Sequence, residues 1–291
     1  MNDPFLDHRN LLFTVAYEML GSAADAEDVV QETWLRWAGL DDAVRAGVRD
    51  PRAYLVQTVT RQALNRLRTL ARRREDYVGE WLPEPLLTSP DVAEDVELAE
   101  SVSFAMLTVL ETLGPVERAV FVLREVFDVP YEEIAPAVGK SPAAVRQIAH
   151  RARAHVAARR PRVAVSRREQ QQVVERFLAA LRTGDVLGLM DVLAPDVVMV
   201  SDGGGIAPAL KQPVSGAETV ATLLKNFTRV VSDADLVTAL VNGTVAVRIE
   251  RAGGLDTVVS FAFESGRIAR IFAVRNPQKL ERLEEPAELR R

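Results

Sequence analysis

The sequence predicts a multidomain protein: two all-α modules, the second a helix-turn-helix, followed by an α+β domain. Three observations carry this. Apolar residues recur at helical spacing through most of the chain up to residue 157. A stretch rich in proline and acid interrupts that pattern over 75–100. Beyond residue 166 the apolar residues alternate at period two between Asn-Gly and Ser-Gly pairs, the pattern of strands joined by tight hairpins.

The first module spans 1–75. Leu11, Leu12, Val15, Ala16 and Met19 form the inward stripe of one helix. Ser22 opens the next, with Asp25 three residues on in a loose capping box, and its apolar stripe is Ala26, Val29, Val30, Thr33, Trp34 and Trp37. The opposite face shows Asp25, Asp28, Gln31, Glu32 and Arg36, which charge alone reads as a solvated face. A third helix follows Pro51 and buries Leu55, Val59, Ala63, Leu67 and Leu70. Its outer stripe is Gln57, Arg61, Asn65, Arg68 and Arg72, at spacings of three and four, so these side chains project from one side. Arginines at that spacing suit a DNA backbone, and the interleaved Gln and Asn add groups able to bond base edges.

An acidic linker is expected over 76–100, where Pro83, Pro85 and Pro90 oppose a continuous helix. Within it, Trp81, Leu82 and Pro83 form an apolar run, and a large aromatic in a linker needs a surface to dock on, so contact with another domain is expected.

The second module spans 101–162. A helix rich in Val102, Phe104, Ala105, Leu107, Val109, Leu110 and Leu113 precedes one begun by Gly114-Pro115. A short helix from Tyr131 to Val138, blemished by Pro136, ends at Gly139. Ser141 and Pro142 then suit the N-cap and first position of the last helix. That helix buries Val145, Ile148, Ala149, Ala152 and Val156, and no acid occurs from 141 to 160. Ser141, Ala143, Ala144, Arg146 and Gln147 are placed to meet bases in a major groove, with His150, Arg151 and Arg153 beside them along the backbone.

The third domain spans 166–291. Helices are expected at Val173–Leu181, Asp185–Leu193 and Ala217–Val231. Strands are expected at 196–201, 235–241, 244–250, 257–263 and 267–274, giving a curved antiparallel sheet.

Composition bounds the chemistry. Apolar residues make up 48% and charged residues 26% of 291, an ordinary folded balance. With no cysteine, disulfides, thiolate zinc sites and cysteine nucleophiles are excluded. His8, His150 and His155 all precede residue 160, which denies the last domain a histidine site; no metal or cofactor is expected. The first residues include Asp3, Asp7 and His8 and no long apolar run, so neither a signal peptide nor a membrane span is expected, and a cytoplasmic location follows. The net charge of −5 hides two basic clusters, at 45–74 and 140–162, separated by the acidic linker.

Residues 11–70 resemble region 2 of the sigma factors, with DAEDVVQETWLRWA at 25–38 similar to the polymerase-binding helix and PRAYLVQTVTRQALNRLR at 51–68 to the helix that reads the minus-10 element. Residues 110–157, containing VPYEEIAPAVGKSPAAVRQIAHRARAHV, are similar to region 4, which reads the minus-35 element. The last domain resembles the SnoaL-like, nuclear-transport-factor-like cone. WLPEP at 81–85, DGGG at 202–205 and NPQKL at 276–280 resemble motifs of the extracytoplasmic-function group that carries such a cone as a fused regulator. Two positions depart from its pattern: Ile206 stands where a basic residue commonly follows the glycines, and Gln278 replaces the usual aspartate.

The resemblance implies that Asp25, Asp28, Gln31 and Glu32 contact the clamp of core RNA polymerase, and that the partners are that enzyme and promoter DNA. It implies a regulatory contact among Trp81, Leu82, Pro83, Asp202, Gly203, Gly204, Gly205, Asn276 and Pro277, and a cone pocket able to take an unidentified small molecule. Two other function classes remain on this reading: a ligand-responsive helix-turn-helix repressor, and a SnoaL-type isomerase or cyclase using Asp202 as its acid. For Asp202 and its glycines an interdomain loop is the plainer reading, because no second acid–base partner is identifiable by spacing.

Overall fold

The computed structural model describes residues 3–159, 165–227 and 233–291, without the side chains of 71–75. Three helices pack as the first module. Helix α1 (Pro4–Leu20) starts at Asp3, whose carboxylate accepts the Phe5 N–H, and stops at Gly21 with φ 66°. Helix α2 (Ala23–Ala38) is capped by Ser22. After a single turn, α3 (Asp42–Ala46), helix α4 runs from Pro51 to Glu75. Leu12, Val15, Ala16, Val29, Leu55, Val59 and Ala63 meet in one buried core, each larger side chain contributing about 1.5–3 kcal/mol. Trp34 departs from the expected stripe: it is 40% exposed, because it lies one position beyond Thr33 and the core-facing edge of α2.

The segment after α4 has no helix to residue 89, pairs through single β-bridges at Leu87 with Val241 and at Thr88 with Ala287, and then forms α5 (Pro90–Glu94) and α6 (Val96–Ser101). It is a linker in sequence only: Leu82, Pro83, Glu84, Pro85 and Leu86 are all buried. Val102 caps α6 rather than belonging to the next helix, since Ser103 restarts the chain as the N-cap of α7 (Phe104–Leu110). Helix α8 (Pro115–Phe121) ends in a wider turn at Val122–Val126. Helix α9 (Tyr131–Val138) accommodates Pro136 within its short length, and Gly139 at φ 66° turns the chain into α10 (Pro142–Ala157).

The last domain places α11 (Arg167–Thr183), α12 (Val186–Val192) and α13 (Ala217–Asn226) against one sheet; part of the helix expected to reach Val231 lies outside the described residues. Its strands are β1 (Leu193–Asp202), β2 (Val214–Ser215), β3 (Asp235–Val241), β4 (Thr244–Arg251), β5 (Gly254–Glu264) and β6 (Arg267–Val274). They are ordered β2-β1-β6-β5-β4-β3. The hairpins turn at Asn242-Gly243 and Ser265-Gly266, both with two positive φ angles. The sheet is mixed, not antiparallel throughout: β1 and β6 pair in parallel. Strand periodicity identifies strands, not partners, and the β1–β6 pair closes over the whole intervening chain.

Alternate residues of the strands enter two different cores. Val197, Met199, Val247, Phe261 and Ile271 face the helices α11–α13, where Phe177 meets Phe261 edge-on at 5.4 Å. Val200, Ala246, Val258, Phe272 and Val274 face the other way, onto Leu82, Phe104, Leu280 and Leu283. Covering both faces explains why apolar residues also stand at adjacent positions, as in Phe261-Ala262-Phe263 of β5 and Ile271-Phe272-Ala273-Val274 of β6, and not only at alternate ones. It also makes the sheet the wall on which the linker and α7 are mounted.

Candidate nucleic-acid interface and interdomain junction

On α4, Arg61, Asn65 and Arg68 are exposed and Gln57 is half-buried; the side chain of Arg72 lies outside the described residues. Arg68 donates to the Asn65 side chain at 3.1 Å. Arg61 donates to the Pro136 carbonyl at 3.0 Å, because α9 packs against α4. One edge of this stripe is therefore covered by the second module.

On α10, Ser141, Ala143, Arg146, Gln147, His150, Arg151 and Arg153 are exposed and Ala144 is half-buried. The Ser141 hydroxyl accepts the Ala144 N–H at 3.3 Å, spending it as a cap. Although the helix contains no acid, neighbouring elements supply some: Glu132 lies 3.4 Å from Arg146 and Glu125 3.5 Å from Arg153. Exposed pairs of this kind are worth about 0–1 kcal/mol and yield readily to a phosphate.

The acidic face of α2 is divided. Arg66 of α4 binds Asp25 and Asp28, each at 2.6 Å, while Gln31 and Glu32 are exposed. Trp34 and Leu35, the latter 56% exposed, put apolar surface beside those acids.

A junction between the cone and the helical modules is built from buried polar groups. At the end of β1, Asp202 has no exposed surface. Its carboxylate accepts from the Tyr77 hydroxyl at 2.6 Å, the Leu82 N–H at 2.9 Å, the Gly204 N–H at 3.0 Å and Lys279 Nζ at 2.7 Å. Burial and the adjacent Asp202 charge push the Tyr77 phenol up, so it stays a donor. The Lys279 ammonium lies over two rings, 4.2 Å from the Trp81 centroid and 5.0 Å from that of Tyr77, and also donates to the Leu82 carbonyl. Asn276, in the turn before α14 (Pro277–Leu280), donates to the Tyr77 hydroxyl at 2.9 Å. A Cβ on Gly204, at φ 60°, would stand 2.3 Å from the Asn276 side chain, and one on Gly205 would meet Val78 at 3.0 Å. The glycines thus let residues 77–82 pass over the loop; Gly203 is buried, and Pro83 packs inward while Pro277 is exposed. The two departures fall on surface: Ile206 is 58% exposed, and Gln278 is exposed too.

Residues that sequence reasoning passed over extend the junction along one face of α1. Asn10, Thr14, Tyr17, Glu18 and the following Gly21 share that face at helical spacing, and each meets a later segment. Asn10 donates to Glu288 at 2.7 Å, and the Thr14 hydroxyl accepts the Arg290 N–H at 3.0 Å. Tyr17 donates to the Glu84 carbonyl at 2.7 Å and accepts from Asn242 at 2.6 Å. Glu18 lies against Ser101. The Gly21 carbonyl accepts the Glu84 N–H at 2.8 Å. The Glu84 carboxylate caps α2, accepting from Ala23 N–H at 2.8 Å, Ala24 N–H at 3.3 Å and Ser22 Oγ at 3.1 Å. Burial raises its pKa, and those three bonds oppose the rise.

Asn242, fully buried at the β3–β4 turn, reaches all three parts. Besides Tyr17 it donates to the Val102 carbonyl at 2.8 Å and accepts the Leu86 N–H at 2.9 Å. Its sequence signal is that of a hairpin turn, which conceals this role. Polar residues at α1 spacing likewise resemble a solvated face, so only the apolar run at Trp81 and the motifs WLPEP, DGGG and NPQKL pointed here.

Comparison with known proteins completes the picture. Residues 5–73 match the Sigma-70 region 2 family and residues 103–156 the Sigma-70 region 4 family. The chain is 36% identical to the ECF RNA polymerase sigma factor SigJ of Mycobacterium tuberculosis over 286 residues, covering 93% of this chain and 90% of that protein. It is 33% identical over 280 residues to the probable ECF RNA polymerase sigma factor SigI of the same species, covering 95% and 93%. The crystal structure of M. tuberculosis SigJ superposes with a TM-score of 0.77 at 33% identity, covering 96% of this chain and 98% of that one, cone included. Matched over more than nine-tenths of its length, and carrying both sigma regions, the chain belongs to the extracytoplasmic-function RNA polymerase sigma factors.

Proposed function

We propose that this chain binds core RNA polymerase through the exposed Gln31–Glu32 face of α2, with Asp25 and Asp28 at its edge, and directs it to a promoter read by α4 and α10. Gln57, Arg61, Asn65, Arg68 and Arg72 serve the minus-10 side. Ser141, Ala143, Ala144, Arg146 and Gln147 meet bases on the minus-35 side, with His150, Arg151 and Arg153 beside them. The working division is a region 2 module at 1–75, a connector at 76–100, a region 4 module at 101–162 and a regulatory cone at 166–291. The protein acts in the cytoplasm with the polymerase and catalyses nothing itself; Asp202, saturated by four donors, is a junction residue.

The observation that carries the regulatory part is α9 lying on α4, with Arg61 bonded to the Pro136 carbonyl. Two promoter elements separated by even one duplex turn, ~34 Å, cannot be read by helical modules packed together in this way. The docked arrangement is the resting form, and the cone maintains it through Asn242 and Asp202.

Run-off transcription with purified core polymerase tests this. Removing 166–291 bares Leu82 and Phe104, so the point variant Asn242→Ala is the cleaner companion. Both alter promoter output if the reading holds; unchanged output from both removes the regulatory part, and failure of every form to bind polymerase removes the whole.

A further inference from the structure

Glu18 is a carboxyl group with 1% exposure, set in the face of α1 that the connector covers. Ser101 Oγ of α6 lies 2.7 Å from its Oε1 and 2.9 Å from the Leu98 carbonyl oxygen. A serine hydroxyl has one hydrogen to give. Both short contacts are satisfied when Ser101 donates to Leu98 and Glu18 donates a proton of its own to Ser101. Its second oxygen has no hydrogen-bond partner among the described residues, an arrangement that suits a neutral acid and penalises a charged one.

We propose that Glu18 carries a proton in the docked protein and loses it when α6 and the connector leave α1, so that docking of the modules is coupled to proton uptake. This rests on the reading that the docked arrangement is the resting form. The groups around Glu18 do not supply a compensating charge at bonding distance. On α1 itself Tyr17 is an un-ionised phenol, its pKa raised by burial. Arg118 of α8 is engaged by Glu111 and the Met19 carbonyl. Glu84 of the connector is turned to the start of α2. Arg291 acts through space and lowers the Glu18 pKa, but it is paired with Asp95 and Glu97. Burial prevails, holding Glu18 at about 8 against an ordinary 4.5.

The direction follows. Below about 4.5 the docked and undocked forms are both protonated; between that value and about 8 only the docked form keeps its proton. Rising pH across that window therefore favours undocking, by at most about tenfold per pH unit. A rise in internal pH would release the promoter-reading surfaces without any ligand.

The test uses the full chain alone. Carboxyl carbon NMR of glutamate-labelled protein follows Glu18 directly, and hydrogen exchange at 98–102, corrected for intrinsic rates, reports docking. Expected are a glutamate titrating near 8 that Glu18→Gln removes, and protection that falls by up to about a hundredfold from pH 6 to 8 in the native chain but stays level in Glu18→Gln. A Glu18 signal titrating at the ordinary position, or an equal pH slope in the variant, overturns the proposal. If Glu18→Gln does not fold, selective assignment of Glu18 in the native chain decides by its titration alone. Because no polymerase is present, a high-titrating Glu18 alongside unchanged transcription by Asn242→Ala would sink the regulatory reading and leave the proton coupling standing.

Discussion

The two helices proposed to read the promoter are held differently. Helix α10 presents Arg146, Gln147, His150, Arg151 and Arg153 to solvent, with only exposed acids nearby. Helix α4 is overlaid by α9, and its Arg61 is engaged by a backbone carbonyl of the other module. Both have basic outer stripes, so charge alone would rank them alike. Their difference lies in what covers them, which the proposal attributes to buried polar bonds outside both stripes: Asp202 with Lys279, Asn242 with Tyr17, and Glu84 at the head of α2.

The sharpest way to break this asymmetry is at Asp202. Asp202→Ala leaves Lys279 among two rings with no carboxylate, and losing one partner of a buried ion pair costs about 3–5 kcal/mol. Denaturant unfolding should show that loss, and α4 should lose its protection from hydrogen exchange while α10 changes little. Next is Asn242→Ala, which strands the Leu86 N–H and the Val102 carbonyl and puts alanine at φ 53°. A cost of about 2–3 kcal/mol is expected, again with exposure of α4. Gly204→Ala, forced against Asn276, should cost about 1–3 kcal/mol and be read as a lower melting temperature.

The comparison is sharpened, not broken, at the helices themselves. Arg151→Ala should leave docking unchanged and reduce the salt slope of DNA binding by the polymerase complex by about one. Arg61→Ala should reduce the salt slope likewise, but it should also loosen α9 from α4, by no more than about 1 kcal/mol. Smallest of all, Glu132→Ala should free Arg146 and raise DNA affinity by a few tenths of a kcal/mol up to ~1, visible as a modest shift in a binding titration.

Much of the fold was legible. Ser22, Pro51, Pro115, Gly139, Ser141 and Pro142 each perform the capping task their chemistry suggests, and the hairpin turns at Asn242-Gly243 and Ser265-Gly266 sit where those dipeptides require. Three features were hidden for physical reasons. Strand β2 is two residues long and has no period to detect. Parallel pairing of β1 with β6 depends on which strands meet, which side-chain alternation does not encode. The polar face of α1 resembles a solvated one, because hydrogen-bonded burial under a later segment leaves no hydrophobic trace. The same limit conceals Lys279 and Tyr77, whose partners lie far along the chain. Family motifs located the junction at Trp81, Asp202 and Asn276; the cation over the rings and the buried setting of the Glu18 carboxyl required coordinates.

The central claim is that polymerase binding separates α4 from the second module. The chain has no cysteine, so Thr69→Cys and Ala154→Cys, both at exposed positions on α4 and α10, accept a spin-label pair without further changes. The account predicts one distance population in the free chain and a longer one, greater by tens of ångströms, once core polymerase is bound. The same distance in the free chain and in the polymerase complex would contradict it.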